Sequence, residues 1–324
     1  MKGQALTATP HENATPRVAS VVVTYNRESE LRRCLQALDS QTRASDHIIV
    51  IDNNSTDGTR AFLSTLDLRT PVTVVRSAEN VGGAGGFSLG IALAIEEQFD
   101  LAWIMDDDVL PEPDALSELL RARDLYTSSP PAVLASLVID TDGNLGQRNR
   151  SVPESSTDPA GYRRTVEAAG HGLAAIKYTT FVGAMIDLEL ARETSLPVVD
   201  YFIWHDDTEY TARLCSLGGG VLVPTSRVVH LAEHLAPGKA VGPRLFYDVR
   251  NKLWLSRSGS LSRLESLTWL YQLGVQVGRQ FKESEDKRSY TRTIARAVRD
   301  GVASKPRYMS HARVIESATF EQLD

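Results

Sequence analysis

At 324 residues and a formal net charge of −6, the chain can bury a large core and is not balanced like a dedicated nucleic-acid binder, which is usually basic. Its hydrophobic share of 42% is that of an ordinary globular protein, and no apolar stretch reaches the roughly 18 residues of a membrane-spanning helix. Two distant cysteines, Cys34 and Cys215, give neither a disulfide framework nor a cysteine-based zinc site, which points to a reducing cytosol.

Residues 1–17 are polar, without the apolar core of a secretory signal, and read as a disordered leader. Residues 18–23 then form an apolar run typical of a strand buried on both faces. Leu31, Cys34, Leu35 and Leu38 follow at helical spacing. A second strand, 47–51, ends in Asp52-Asn53-Asn54-Ser55, and a helix starts near Asp57. A third strand, 72–75, precedes Asn80-Val81-Gly82-Gly83-Ala84-Gly85-Gly86-Phe87 and a helix over 88–97. The apolar run 101–105 delivers Asp106-Asp107-Asp108. This alternation predicts right-handed crossovers and a parallel sheet, with ligands at the carboxyl ends of the strands. A helix to about Tyr126 and a strand over 132–140 come next. The polar stretch 141–169 reads as an insertion or long loop. An apolar strand over 179–186 precedes the segment 202–210, which leads into a helix ending at Gly218-Gly219-Gly220. A short strand over 221–224 and the pair Val228-Val229 precede His230. From about Gly242 the chain turns helical and basic. The expected division is a leader over 1–17, an α/β domain over 18–241 and a helical C-terminal region over 242–324.

Four strand ends present polar groups that a parallel sheet would gather at one crevice: residues 24–27, 52–55, 80–86 and 106–108. Asp52 is a candidate acceptor for donors of a uracil or ribose. Each segment taken alone also reads as a helix cap or turn. Alternation along an extended backbone would aim Asp106 and Asp108 to one side, where they could grip a hard divalent cation, with Asp107 facing away. The glycines suit close approach of a ligand to a helix N-terminus, or a flexible turn. They are not placed as in a dinucleotide fingerprint, and no phosphate-binding Gly-Lys-Ser/Thr occurs, so dehydrogenases and P-loop NTPases are disfavoured. Asp206-Asp207 and Glu209, after Phe202, Ile203 and Trp204, could supply a general base or merely suit a helix start. His230 could join two aspartates around Mn²⁺ or Mg²⁺. The string His230-Leu231-Ala232-Glu233-His234 also fits an inverted zinc-protease pattern, but that site needs a helix and Val228-Val229 reads as a strand.

These segments, in this order, resemble family 2 inverting glycosyltransferases of the GT-A fold. The residues that carry the resemblance are Val21-Val22-Val23-Thr24-Tyr25-Asn26-Arg27, the run from Ile51 to Thr59, the run from Asn80 to Phe87, the triple aspartate, Trp204-His205-Asp206-Asp207-Thr208-Glu209-Tyr210 and His230. The glycine segment and the Asp-Asp-Asp form are most similar to actinobacterial galactofuranosyltransferases, with rhamnosyltransferases close behind. The resemblance implies a mostly parallel central sheet flanked by helices, a nucleotide-sugar donor, and a glycan or glycolipid acceptor. UDP-galactofuranose is the favoured donor and dTDP-rhamnose the second. It further implies Mn²⁺ or Mg²⁺ held by Asp106, Asp108 and His230, and a catalytic base at Asp207, or at Asp206 because His205 loosens the alignment. Donor contacts are implied at Thr24, Tyr25, Asn26, Arg27, Asp52, Asn54, Asn80, Gly82, Gly83 and Asp107. Trp204, Glu209 and Arg250 are expected on the acceptor side, and Tyr247-Asp248-Val249-Arg250-Asn251 resembles a motif that follows the catalytic region in many relatives. The larger polymerising relatives carry an extra N-terminal β-rich domain, so a single-transfer enzyme is expected. The basic C-terminal helices suggest a cytoplasmic protein that touches the inner face of the membrane, or a homo-oligomer contact. A nucleotidyltransferase and a non-catalytic nucleotide-sugar-binding protein are the readings from other classes.

Overall fold

The computed structural model describes residues 15–127, 129–146, 149–154, 159–231 and 243–323. Most of the expected leader, the boundary at 241–242, and Glu233 and His234 lie outside them. In chain order the elements are β1 (Val18–Thr24), α1 (Glu28–Asp39), β2 (His47–Asp52), α2 (Thr59–Leu63), β3 (Val72–Ser77), α3 (Gly82–Glu96), β4 (Leu101–Asp106), β5 (Val109–Pro111), α4 (Ala115–Asp124) and β6 (Val133–Ile139). They continue with β7 (Val152–Pro153), α5 (Pro159–Gly170), β8 (Ala174–Tyr178), β9 (Ala184–Asp187), α6 (Leu188–Glu193), a 3₁₀ turn (Val199–Tyr201), α7 (Asp206–Gly218) and β10 (Gly220–His230). The last part is α8 (Pro243–Leu255), α9 (Arg263–Glu283), α10 (Lys287–Ala303), α11 (His311–Ser317) and β11 (Phe320–Leu323).

One sheet carries the strands in the order β11-β3-β2-β1-β4-β9-β6-β10-β8-β7, with β5 on β10. The expected parallel sheet is the block β3-β2-β1-β4. Beyond β4 the sheet is mixed. β9 runs antiparallel between β4 and β6, β10 is parallel to β6, and β5 and β8 are antiparallel to β10. The expected 179–186 strand shrinks to β9, and the two expected strands around Pro224 are one element, β10, with a register shift between Val223 and Arg227. The stretch expected as a loop over 141–169 contains β7 and most of α5 among its described residues. The C-terminal region is helical through α11, and then β11 pairs antiparallel with β3 at the sheet edge.

Strand alternation splits the core into two layers. Val18, Val22, Ile48, Val50, Leu101, Trp103 and Met105 pack with Leu31, Leu35 and Leu116 of α1 and α4. Ala19, Val21, Val23, Ile49, Ile51, Ala102 and Ile104 pack with Phe87, Ile91 and Ile95 of α3 and with Tyr210 and Leu214 of α7. The glycines of α3 are part of this second layer. A Cβ on Gly86 would fall 2.5 Å from Val23 Cγ1, and one on Gly90 would fall 2.3 Å from Val21 Cγ1. Two glycines four residues apart thus let α3 lie flat on β1. Gly86→Val should lower the unfolding free energy by about 1–3 kcal/mol through overpacking. An unchanged denaturant midpoint would show that α3 does not press on β1 this way.

Candidate active site

The parity that sorts the core also sorts the aspartates. Asp106 follows Ala102 and Ile104 onto the α3–α7 side, whereas Asp107 follows Met105 towards α1. Thr24, at the end of β1, donates from Oγ1 to Asp107 Oδ2 at 2.8 Å. Arg27 opens α1 and sets its Nη1 3.4 Å from Asp107 Oδ1, and it also hydrogen bonds Asp108 Oδ2. Asp108 lies past the end of the strand, in the turn between β4 and β5. The alternation that would have aimed it with Asp106 therefore no longer applies. Instead β5 pairs with the end of β10, Leu231 N donates to the Asp108 carbonyl at 2.9 Å, and His230 is brought to the acid.

His230 Nε2 stands 3.3 Å from Asp108 Oδ1, and its Nδ1 meets Asn149 Nδ2 at 3.1 Å. The first contact lacks hydrogen-bond alignment, so Asp108 Oδ1 is buried with no hydrogen-bond partner among the described residues. A buried carboxylate oxygen left unpaired beside an imidazole suits a divalent cation that takes oxygen and nitrogen ligands. The structure brings Asp108 and His230 together. Among the described residues it does not gather three His, Cys, Asp or Glu side chains into a metal-holding group, although Asp108 is the largest charge acting on Asp106.

Asp106 instead shares its side of the sheet with Asp206, the first residue of α7. Burial, then the charges of Asp108, Asp107 and Asp206, push the Asp106 carboxyl well above its ordinary range. Burial and then Asp207 do the same to Asp206, which is 6% exposed. Asp207 is half-buried. Burial raises its carboxyl too, against His205 and the Thr208 N–H, which donates to Asp207 Oδ1 at 2.6 Å. Of the acid pair, Asp207 is the one a substrate hydroxyl could reach. Trp204 beside it is partly exposed at 36%. Glu209 is not: it is 1% exposed, with its carboxylate held by Arg213 at 3.0 and 3.1 Å and by Ser260 Oγ at 2.8 Å.

A cleft at the start of α1 is lined by Asn26, Arg27, Glu28, Ser29, Glu30, Arg32 and Asp57. Tyr25 is 44% exposed, and Asn26 takes a left-handed φ of 54° while its Oδ1 accepts from Thr56 N at 2.7 Å. Asp52 is fully buried, with Oδ1 accepting from Ser55 N at 2.9 Å and Oδ2 from Arg76 at 2.5 Å. Arg76 also donates to Asn54 Oδ1 at 2.6 Å. The sequence reading missed Arg76. Its signal is its register, since Arg76 at the end of β3 sits directly beside Asp52 of β2. Asn80 Oδ1 accepts from Gly82 N at 2.8 Å and caps the turn that opens α3. Gly82 has a φ of +72°, and a Cβ there would meet the Phe202 carbonyl oxygen at 2.0 Å. Gly83 has only a ring carbon of Phe87, 4.0 Å from where its Cβ would be.

Arg27 is the cation within reach of the acidic cluster. Burial lowers its guanidinium, but Asp107 and Asp108 outweigh this and hold it above its ordinary value. Asp107 is pushed by burial up to about 6, despite the Thr24 hydrogen bond and Arg27. Asp108 is also raised by burial, but His230 and Arg27 bring it below the usual range. A carboxyl raised in the folded state binds its proton more tightly there than in the unfolded chain. Its ionisation therefore weighs against folding above about pH 6, and that penalty lifts as pH falls towards 3.8. Arg27→Met should accordingly lower Tm more at pH 8 than at pH 5. Equal losses at both pH values would remove Arg27 as the counter-ion of the cluster.

Residues 20–166 match the model of glycosyl transferase family 2. Galactofuranosyltransferase GlfT1 of Mycobacterium tuberculosis is 29% identical over 208 residues, which is 63% of this chain and 66% of that protein. GlfT1 of Mycolicibacterium smegmatis is 30% identical over 213 residues, covering 63% of this chain and 67% of its own length. The chain thus spans about two thirds of the curated relatives it matches. Among solved structures, Staphylococcus aureus TarS 1–349 in complex with UDP-GlcNAc superposes with a TM-score of 0.58 at 14% identity, over 88% of this chain and 80% of TarS. The mannosyltransferase PcManGT of Pyrobaculum calidifontis, in complex with GDP-Man and Mn²⁺, gives 0.52 at 16% identity, over 97% and 82%. The sequence match to the GlfT1 proteins and the family model place the chain: it belongs to glycosyl transferase family 2.

Proposed function

We propose that this protein is an inverting glycosyltransferase that moves a sugar from a nucleotide-diphosphate donor, UDP-galactofuranose first, to a hydroxyl of a cell-wall or polyprenyl-linked glycan. The observation that carries the reading is the meeting, at one edge of the sheet, of the strand-end residues Thr24, Arg27 and Asp106–Asp108 with the acid pair that opens α7. The galactofuranosyltransferase relatives favour the donor. Two neighbours of the same fold hold UDP-GlcNAc and GDP-Man, which supports a nucleotide-sugar ligand of some kind.

Asp207 accepts the proton of the acceptor hydroxyl as that oxygen attacks the anomeric carbon from the face opposite the leaving group. Its raised carboxyl suits this task, because a base works best when its pKa lies nearer the working pH. Asp106, Asp108 and His230 are the residues that would hold Mn²⁺ or Mg²⁺. When bound, the ion supplies positive charge against the leaving nucleoside diphosphate. Thr24 and Arg27 orient Asp107 and Asp108 beneath the donor, and Arg76 fixes Asp52 and Asn54 at the nucleoside end. Asp207→Asn should reduce transfer by about 10²-fold or more while donor binding persists, as expected for loss of a general base. Near-wild-type turnover would move the role to Asp206. Incubation with a panel containing UDP-galactofuranose and dTDP-rhamnose decides among the alternatives. Release of nucleoside diphosphate from the second donor alone makes the protein a rhamnosyltransferase. Release of pyrophosphate from a nucleotide makes it a nucleotidyltransferase, and binding without release makes it a non-catalytic nucleotide-sugar-binding protein.

We further propose that the acceptor is presented at an anionic membrane surface, on the cytoplasmic side, through the outward face of α9. Leu264, Leu267, Tyr271 and Val275 recur at helical spacing on this face and are 55–74% exposed. Arg263 lies at one end of the helix, and Arg279 and Lys282 at the other, while Glu265 is half-buried against Lys177. An apolar stripe with basic ends suits an anionic interface. An antiparallel pair of α9 helices from two copies would set Arg263 against Arg279 and Lys282, which disfavours a homo-oligomer on this face. The protein should co-sediment with phosphatidylglycerol-containing vesicles at low salt and lose this with Tyr271→Glu. Absence of co-sedimentation, or a dimer in solution that Tyr271→Glu dissociates, would rule the membrane out as the occupant.

A further inference from the structure

Four of the five side chains in Tyr247-Asp248-Val249-Arg250-Asn251, on α8, are directed at one target, the backbone and rings of residues 200–205. Tyr247 stacks on Phe202 with ring centroids 4.9 Å apart and planes 21° from parallel. Asp248 accepts from His205 Nε2 at 3.0 Å, while Lys252 and Gln276 hold its carboxylate at 2.9 and 2.6 Å. Arg250 donates to the carbonyls of Asp200 and Tyr201 at 2.6 and 3.2 Å. Asn251, wholly buried, shares the two N–H groups of its amide among the carbonyls of Tyr201, Ile203 and Trp204 at 2.8–2.9 Å. Arg250 Nε donates to Asn251 Oδ1 at 3.0 Å, which fixes the amide with its N–H groups towards those carbonyls.

The target is a segment that needs holding. Phe202, Trp204 and His205 have φ values of 63°, 66° and 70°. Phe202 is the centre of a γ-turn of the rare, strained hand, closed by Ile203 N donating to the Tyr201 carbonyl at 2.7 Å. Non-glycine residues keep such conformations only where their surroundings impose them, and they gather at functional sites. The segment's far side rests on the start of α3. Ala84 N donates to the Phe202 carbonyl at 3.2 Å, and that oxygen fills the space a side chain at position 82 would need. Its next residues are Asp206 and Asp207.

We propose that the α8 motif is a positioning clamp. It holds residues 200–205 as a strut between the glycine-rich start of α3, on the donor side, and the acid pair, and so sets where the Asp207 carboxylate stands relative to the anomeric carbon. Asn251 is its central positioning residue. This rests on the transfer reading, in which Asp207 is the base. No contact of Asn251 with substrate is required, since its partners are three backbone carbonyls.

The test is Asn251→Asp, which keeps the shape of the side chain and removes the N–H donors. Turnover and donor KM, the affinity for UDP by calorimetry, and hydrogen exchange of the amides at 202–207 are measured on variant and wild type. The clamp predicts that kcat falls by about 10²-fold, as a misplaced reacting group entails, with UDP affinity held within about threefold. Exchange at 202–207 should quicken. A kcat within about twofold of wild type overturns the clamp, as does a parallel fall of kcat, UDP affinity and Tm, which marks a merely structural residue. Should Asn251→Asp not fold, Tyr247→Leu, which removes only the stack on Phe202, is judged by the same criteria. If wild type transfers sugar from neither UDP-galactofuranose nor dTDP-rhamnose, it is the transfer reading that has failed. The clamp then stands or falls on the exchange result alone.

Discussion

The structure depends on a concentration of like charge. Asp106, Asp107, Asp108, Asp206 and Asp207 converge at the carboxyl edge of one sheet; burial pushes all five up, and in all but Asp108 that rise prevails. Two unit charges about 5 Å apart at an effective dielectric near 20 repel by about 3 kcal/mol. No fold keeps five such groups together for stability, so each must have a counterweight. Arg27 and His230 stand against Asp107 and Asp108, and Thr24 donates into Asp107. Asp106 and Asp206 are pushed furthest up, offset only in part by Arg27 at Asp106 and by backbone hydrogen bonds at Asp206. The acid edge is therefore poised to accept positive charge, which a divalent cation would bring and an anionic diphosphate alone would not.

Parity divides the labour among these acids. One residue of displacement along β4 sends Asp106 to the α7 side and Asp107 to the α1 side, and the end of the strand releases Asp108 to be caught by β10. It also gives Asp107 a purpose that spacing alone denied it, as the acceptor that ties the end of β1 to the start of α1. Arg27 is held by two acids rather than by a packed wall, and its side chain is 42% exposed.

The parallel half of the fold and the four strand ends were legible in the sequence because both follow from local pattern: apolar runs, then polar residues, then helical spacing. Thr24, Asp52 and the acid cluster fell where strand ends must fall. What was not legible depends on partners distant in sequence. Arg76 was overlooked because an arginine at the end of a short strand looks like a solvated one, and only the β2–β3 register shows it beside Asp52. Glu209 was expected near the acceptor because it follows the acid pair by two residues. Helical geometry instead turns it inward to Arg213, and Ser260, 51 positions away, completes its shell. The glycines were read as room for a ligand or as a flexible turn. Gly86 and Gly90 are room for β1, and Gly82 is room for the Phe202 carbonyl.

That last substitution of roles links the two halves of the site. A non-glycine residue in the left-handed region costs on the order of 1 kcal/mol, and the segment before α7 carries three. The strain persists because the protein grips the segment from both sides, with Gly82 yielding space below and Asn251 supplying donors above. A relaxed loop would be more stable, but its carbonyls would not meet Ala84 N and Asn251 together, and the helix that begins at Asp206 would start elsewhere. The position of the acid pair is therefore set by contacts to α3 and α8 rather than by the acids' own preference, which mutual repulsion would make to separate. In this fold the same local conformation that stores strain also keeps like charges close enough to act on one substrate.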